Sequence, residues 1–146
     1  MSKLSAFLHP VQPEIKEVII SDRFVERDEK GNPVLDENGE TIPAPFKIRP
    51  ITQEENDALV KRAKRTRTVN GMAQEYVDSA ILSRSIVLAA TVEPNFSDKE
   101  LCDAYGVMDP SMVPGKMLLS GEYAKLTEAI SDLSGFNYPA EEEAKN

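Results

Sequence analysis

The sequence predicts an α+β protein, mainly α, in which a small N-terminal antiparallel β-meander packs on a bundle of four or five helices. Three observations predict it. The first third gathers β-branched residues, prolines and two acidic glycine turns. From Thr52 onward, helix-start signals and helical apolar spacing take over. Aromatics make up 6% of the chain and tryptophan is absent, so the core must rest on aliphatic residues, which suits helix packing. The implied organisation is a flexible arm over 1–16, one domain over 17–138 (meander 17–50, helices 52–135) and a disordered acidic tail over 139–146.

Within the arm, one helical turn is expected over 2–8. Residues 17–25 are rich in Val, Ile and Phe and predict a strand. Asn38-Gly39 suits a tight hairpin turn because both residues tolerate positive φ, and Thr41-Ile42 then returns against Val34-Leu35. Phe46, Lys47, Ile48 and Arg49 alternate apolar and basic and predict another strand.

Thr52 and Glu55 form a capping box, so a helix should run over about 53–67, with a thin apolar stripe of Leu59, Val60 and Ala63. Asn70-Gly71 breaks it. A second helix over about 72–90 is the most apolar segment; Tyr76, Val77, Ala80, Ile81, Val87 and Leu88 recur at helical spacing, and Ile81 and Leu88 are expected in the core. Glu93-Pro94 ends it. Ser97 and Glu100 read as a second capping box, with Phe96 stapled on Leu101 and Gly106 as a left-handed stop. Asp109-Pro110 starts a turn around Met112. The last helix, about 120–134, presents Tyr123, Leu126, Ala129, Ile130 and Leu133 on one face; Gly135 caps it and Phe136 folds back on Ile130.

Length and charge narrow the function. With 146 residues the chain is the size of one domain. A formal charge of −8 draws it neither to DNA nor to anionic lipid as a whole. The single cysteine, Cys102, permits no internal disulfide and fits a reducing compartment. Residues 4–8 are too short for a signal-peptide core, and no apolar run reaches membrane-spanning length. A cytoplasmic binding protein is expected, and no membrane partner.

No catalytic constellation can be assembled. The one histidine, His9, lies in the arm, and Cys102 reads as a small buried hydrophobe. A structural metal site would need more Cys or His. Residues 28–32 and 36–40 lack the ligand spacing of a calcium loop and are better explained as turns. No glycine-rich phosphate loop follows a strand. The chain is therefore expected to be no enzyme and to carry no cofactor.

One local anomaly stands out: Lys61, Arg62, Lys64, Arg65 and Arg67 place five cations in seven residues. The plainer reading is a solvated helix end, where cations suit the C-terminal dipole. The functional reading is a partner surface, and the negative overall charge favours an acidic protein over nucleic acid.

The order of segments carries a resemblance. Ile20, Ser21, Asp22, Arg23 and Phe24 lead into the glycine turns, and 46–51 precede Thr52, Gln53, Glu54, Glu55 and Asn56. A helix ending at 86–91 is followed by 93–101, then Ala104-Tyr105-Gly106-Val107, Lys116-Met117-Leu118, Gly121-Glu122-Tyr123 and Leu133-Ser134-Gly135-Phe136. Over about 17–138 this resembles the tail assembly chaperones of long-tailed phages and prophages, in particular the XkdN-like group. The resemblance implies a chaperone in the host bacterial cytoplasm that binds the long, aggregation-prone tape measure protein and is absent from the finished particle. It also implies a frameshifted longer form that recruits tail tube (major tail) subunits, and self-association along the client. Lys145-Asn146 can be encoded by a slippery adenine run, so a second reading frame is expected near codon 145. The alternative function is a small nucleic-acid-binding regulator acting through 61–67.

Overall fold

A computed structural model describes residues 3–10 and 14–136. The expected acidic tail and the Lys145-Asn146 junction lie outside these residues. Strand β1 (Lys16–Val18) pairs with β2 (Phe46–Ile48), and helix α1 (Gln53–Arg62) follows. Strands β3 (Lys64–Val69) and β4 (Met72–Val77) lead into α2 (Ser79–Ala90), and β5 (Thr91–Glu93) continues directly from it. Helices α3 (Lys99–Ala104), α4 (Val113–Met117) and α5 (Ser120–Leu133) complete the order, with 3-10 turns at Lys3–Phe7 and Pro110–Met112. The protein is α+β, with antiparallel strands and more helix than strand among the described residues.

The N-terminal third is less regular than expected. Of the predicted 17–25 strand only Glu17 and Val18 join a ladder; beyond them, isolated bridges join Val25 to Pro43, Arg27 to Pro33 and Leu35 to Thr41. Prolines at 33 and 43 remove donors that a continuous ladder would need. The two glycine turns share one geometry. Asp28 Oδ1 accepts from the backbone N–H of Lys30 and Asn32, and Asp36 Oδ1 accepts from those of Asn38 and Glu40. Positive φ falls on Gly31 and Gly39 alone, so Asn38-Gly39 is not the tight two-residue turn expected; each loop closes by an aspartate turn with one left-handed glycine.

The third strand of the sheet comes from an unexpected place. β2 is central, and β5, entered straight from α2, pairs with its far edge through Lys47 opposite Glu93 and Ile48 opposite Thr91. On β2, Phe46 and Ile48 are buried while Lys47 is not, the alternation of a half-covered sheet. One core cluster joins Phe46 and Ile48 to Val87, Ala90, Phe96, Val113, Leu126 and Ile130. Val87, completely buried, is the deep residue of α2; Leu88 is half-buried against the cluster and Ile81 is half-buried, so the expected core face was off by part of a turn.

Helix ends follow their sequence signals closely. Thr52 Oγ1 accepts from Glu55 N–H while Glu55 reaches back to Thr52 N–H, the predicted box. Gly106 and Gly135 are left-handed, and the bonds Val107 N–H to Cys102 O and Phe136 N–H to Ser131 O close the caps. Two expectations fail. Asp98, not Ser97, caps α3, because its carboxylate accepts from Glu100 N–H. Phe136 is 68% exposed and does not fold back into the core.

Two arginines tie the N-terminal third to the helices by one device. Arg49 donates to both carboxylate oxygens of Glu55, at 3.1 and 2.7 Å. Arg23 grips Glu122 likewise and also donates to Met117 O. Each glutamate is also bonded to the backbone N–H at its helix start, Thr52 or Leu119. The Arg49 hydrogen bond, then the Thr52 N–H, hold Glu55 at a pKa of about 2; the Arg23 hydrogen bond does most to hold Glu122 at about 2.

Candidate functional site

The basic segment does not lie on one helix. α1 stops at Ala63, completely buried, whose N–H donates to Leu59 O. β3 then leaves the body, turns at Asn70-Gly71 and returns as β4. Both turn residues have positive φ, 52° and 79°, as a two-residue hairpin turn of this hand requires. Asp78 closes the ribbon at its base: its N–H donates to Ala63 O at 2.9 Å, and its carboxylate caps α2 through Ala80 and Ile81 N–H. The expected helices over 53–67 and 72–90 are thus each shortened by a strand. Tyr76 and Val77 stand at helical spacing from Ala80 and Ile81 only because β4 runs into α2 with one residue between them.

Register divides the ribbon into two faces. Opposite residues share a face, so one face carries Arg65 with Tyr76, Arg67 with Gln74 and Val69 with Met72. The other carries Lys64 with Val77, Thr66 with Glu75 and Thr68 with Ala73. Arg67 stacks over Tyr76, 4.6 Å from the ring centroid, and Lys64 pairs with Glu75 at 3.3 Å. Arg65 donates to the carbonyls of Arg62 and Lys64, both at 2.8 Å. Every residue of β3 is exposed, and on β4 only Tyr76 is half-buried.

All five expected site residues are exposed, but they are not one patch. Lys61 and Arg62 occupy the last turn of α1, where cations suit the helix dipole. Lys64 lies on one ribbon face; Arg65 and Arg67 lie on the other, beside Tyr76, Gln74 and Met72, which the sequence reading had not joined to them.

A second feature lies among the helices. An open groove of about 450 Å3 runs between α2, α4 and α5, lined by Ala80, Ser83, Arg84, Met112, Leu118 and Tyr123 among others. Ser83 Oγ and Tyr123 OH meet at 3.1 Å and join its two sides. Arg84 forms no ion pair among the described residues; it acts at longer range on Asp109, whose carboxyl is lowered chiefly by Ser111 N–H. Met108 and Leu119 are 100% and 63% exposed.

His9 is exposed, and Cys102 is buried with its thiol on Phe96 O at 3.3 Å. Among the described residues no group of His, Cys, Asp and Glu is arranged to hold a metal, and no helix is long and apolar enough to cross a membrane.

Comparison with known proteins gives a consistent result. The model of the phage XkdN-like tail assembly chaperone family matches residues 4–145. The phage-like element PBSX protein XkdN of Bacillus subtilis (strain 168) is 34% identical over 141 residues, covering 93% of this chain and 87% of XkdN. The protein YqbN of the same organism is 36% identical over 141 residues, with the same coverage. The crystal structure of YqbN superposes with a TM-score of 0.67 at 31% identity, covering 94% of this chain and 99% of that one.

Proposed function

The chain belongs to the phage XkdN-like tail assembly chaperone family, and we propose that it binds a tape measure protein in the host bacterial cytoplasm, keeps it soluble, and leaves before the particle is complete. The family match over residues 4–145 carries this reading. The residues present suit it: a chaperone needs surfaces, not acid–base pairs, and this chain offers an exposed basic ribbon and an apolar groove. Lys61, Arg62, Lys64, Arg65 and Arg67 are the proposed partner-binding cations. Several copies along one client, associating with one another, add avidity without new contacts on the client. A longer form, extended beyond residue 145 by frameshifting, recruits tail tube subunits.

Co-expression tests the reading. With this chain present, the tape measure protein should move from the pellet to a soluble complex containing both. A pellet unchanged by co-expression rejects the proposal.

One observation favours a second reading. The Arg65, Arg67 and Tyr76 face is a two-stranded basic ribbon with an aromatic, a shape that fits a nucleic-acid groove. The overall charge of −8 opposes it. A salt-sensitive shift of duplex DNA at low chain concentration, lost on reversing Arg65 and Arg67, would favour that regulator over the chaperone.

A further inference from the structure

We infer that the groove and the Arg65–Arg67 face of the ribbon form one bipartite site for an amphipathic α-helix whose apolar stripe is flanked by acidic residues. The inference rests on the chaperone reading and adds to it where the client sits and what chemistry it must have.

The two halves are joined by the chain itself. Only Asp78 separates β4 from α2, and Ala80, the next residue but one, already lines the groove. The base of the ribbon therefore lies close to the Ala80 end of the groove. The groove supplies shape. Its walls are helix sides with small residues at Ala80 and Gly115, and Met112 beside them is 43% exposed. A flexible thioether among small residues adapts to Leu, Ile or Met knobs spaced along a helix.

Charge sets the sign of the partner. Residues 61–84 hold six cations, Lys61, Arg62, Lys64, Arg65, Arg67 and Arg84, against two carboxylates, Glu75 and Asp78. The chain as a whole carries 25 carboxylates against 17 Lys and Arg, so the cations of this one segment stand out against an acidic remainder. An acidic helix edge is steered to the ribbon and repelled elsewhere. Arg84, which forms no ion pair among the described residues and acts on Asp109 only at longer range, stands in the groove wall to receive one carboxylate.

A helix fits better than an added strand. The ribbon's first strand carries Lys64, Arg65 and Arg67, and cations of this kind blunt edge pairing.

The test uses the intact chain and three labelled helical peptides: a leucine stripe flanked by glutamates, the same stripe flanked by lysines, and the glutamate peptide with its stripe changed to serine. Anisotropy should show binding of the first peptide alone, weakened by salt. Arg84→Glu and Arg67→Glu should each weaken it about tenfold. Gly115→Leu should block it as well: Gly115 lines the groove, and a Cβ there meets nothing within 4 Å, so the added side chain fills the groove and spares the fold. Thermal melting checks that each variant is folded. Equal binding of the lysine or serine peptide, or full binding by folded Gly115→Leu, overturns the inference. So does displacement of the peptide by a DNA duplex at the same Arg67→Glu-sensitive face, which would assign the ribbon to nucleic acid. If the wild-type chain holds the full tape measure protein and the three variants hold it equally well, the site is wrong and the chaperone reading stands. If the wild-type chain does not hold it, that reading itself fails.

Discussion

The body sheet and the ribbon are both antiparallel, yet different forces hold them. In the sheet, Phe46 and Ile48 of β2 are 2% and 0% exposed, and they pack in one cluster with Val87 and Leu126. In the ribbon, β3 buries nothing. Its shape rests on six cross-strand pairs, a two-residue turn and the Asp78–Ala63 bond at its base. A lone two-stranded hairpin is marginal in water. The comparison teaches that burial fixes the body, whereas backbone pairing and a few exposed cross-strand contacts fix the ribbon.

The sharpest way to break this contrast is to remove side chains from each region. Phe46→Ala should cost about 3–5 kcal/mol and Leu126→Ala about 2–5 kcal/mol in urea unfolding, because each leaves a cavity. Ile81→Ala, at a half-buried position, should cost clearly less than Leu126→Ala. Val69→Ala and Met72→Ala should fall within about 0.5 kcal/mol of wild type. If the ribbon variants cost as much as the body variants, the ribbon is packed after all.

Gly71→Ala probes the turn. Gly71 sits at φ 79°, where a Cβ is strained, so the change should cost about 1–2 kcal/mol. The loss should appear as faster amide exchange in 64–77, with the global melt nearly unchanged. A global loss of the same size would mean that ribbon and body unfold together.

Acid tests the other side of the comparison. Glu55 and Glu122 have folded pKa values of about 2, below the ordinary 4.5. A depressed carboxylate adds stability above its unfolded pKa and loses it as pH falls toward the folded one. The body should therefore lose stability between about pH 5 and pH 2, and Glu55→Gln or Glu122→Gln should flatten that dependence. A slope unchanged in both variants would remove these two arginine clasps as its source.

Arg62→Glu with Arg65→Glu probes binding more than stability. Both are exposed, so unfolding should shift by less than about 1 kcal/mol, while client binding at low salt weakens. Unchanged binding would return Arg62 to a solvated helix end and Arg65 to a solvated strand face.

What was legible in the sequence divides along the same line. The Thr52–Glu55 box, the Gly106 and Gly135 stops, the Asp109-Pro110 turn and the Leu126–Ile130 face are local codes, and each forms as read. β5 beside β2 and Arg23 on Glu122 join residues far apart in the chain, and no local pattern marks them. The site was half legible. The five cations were identifiable by composition, but their placement was not, since Tyr76, Val77, Ala80 and Ile81 mimic a helical stripe across a strand–helix boundary. A usable signal existed: basic residues alternating with threonine over 65–68, then Asn70-Gly71 as a two-residue loop, then Tyr76-Val77. The groove had none, because α2 meets α4 and α5 only after folding.

The bond between Asp78 N–H and Ala63 O has a consequence for how such a protein can change over generations. It sets the two ends of the ribbon side by side, so the fourteen residues from Lys64 to Val77 leave and rejoin the body at one point. Lengthening, trimming or exchanging them leaves Leu59, Ala63 and Val87 where they are. The ribbon can thus vary as one cassette while the scaffold beneath it stays as it was.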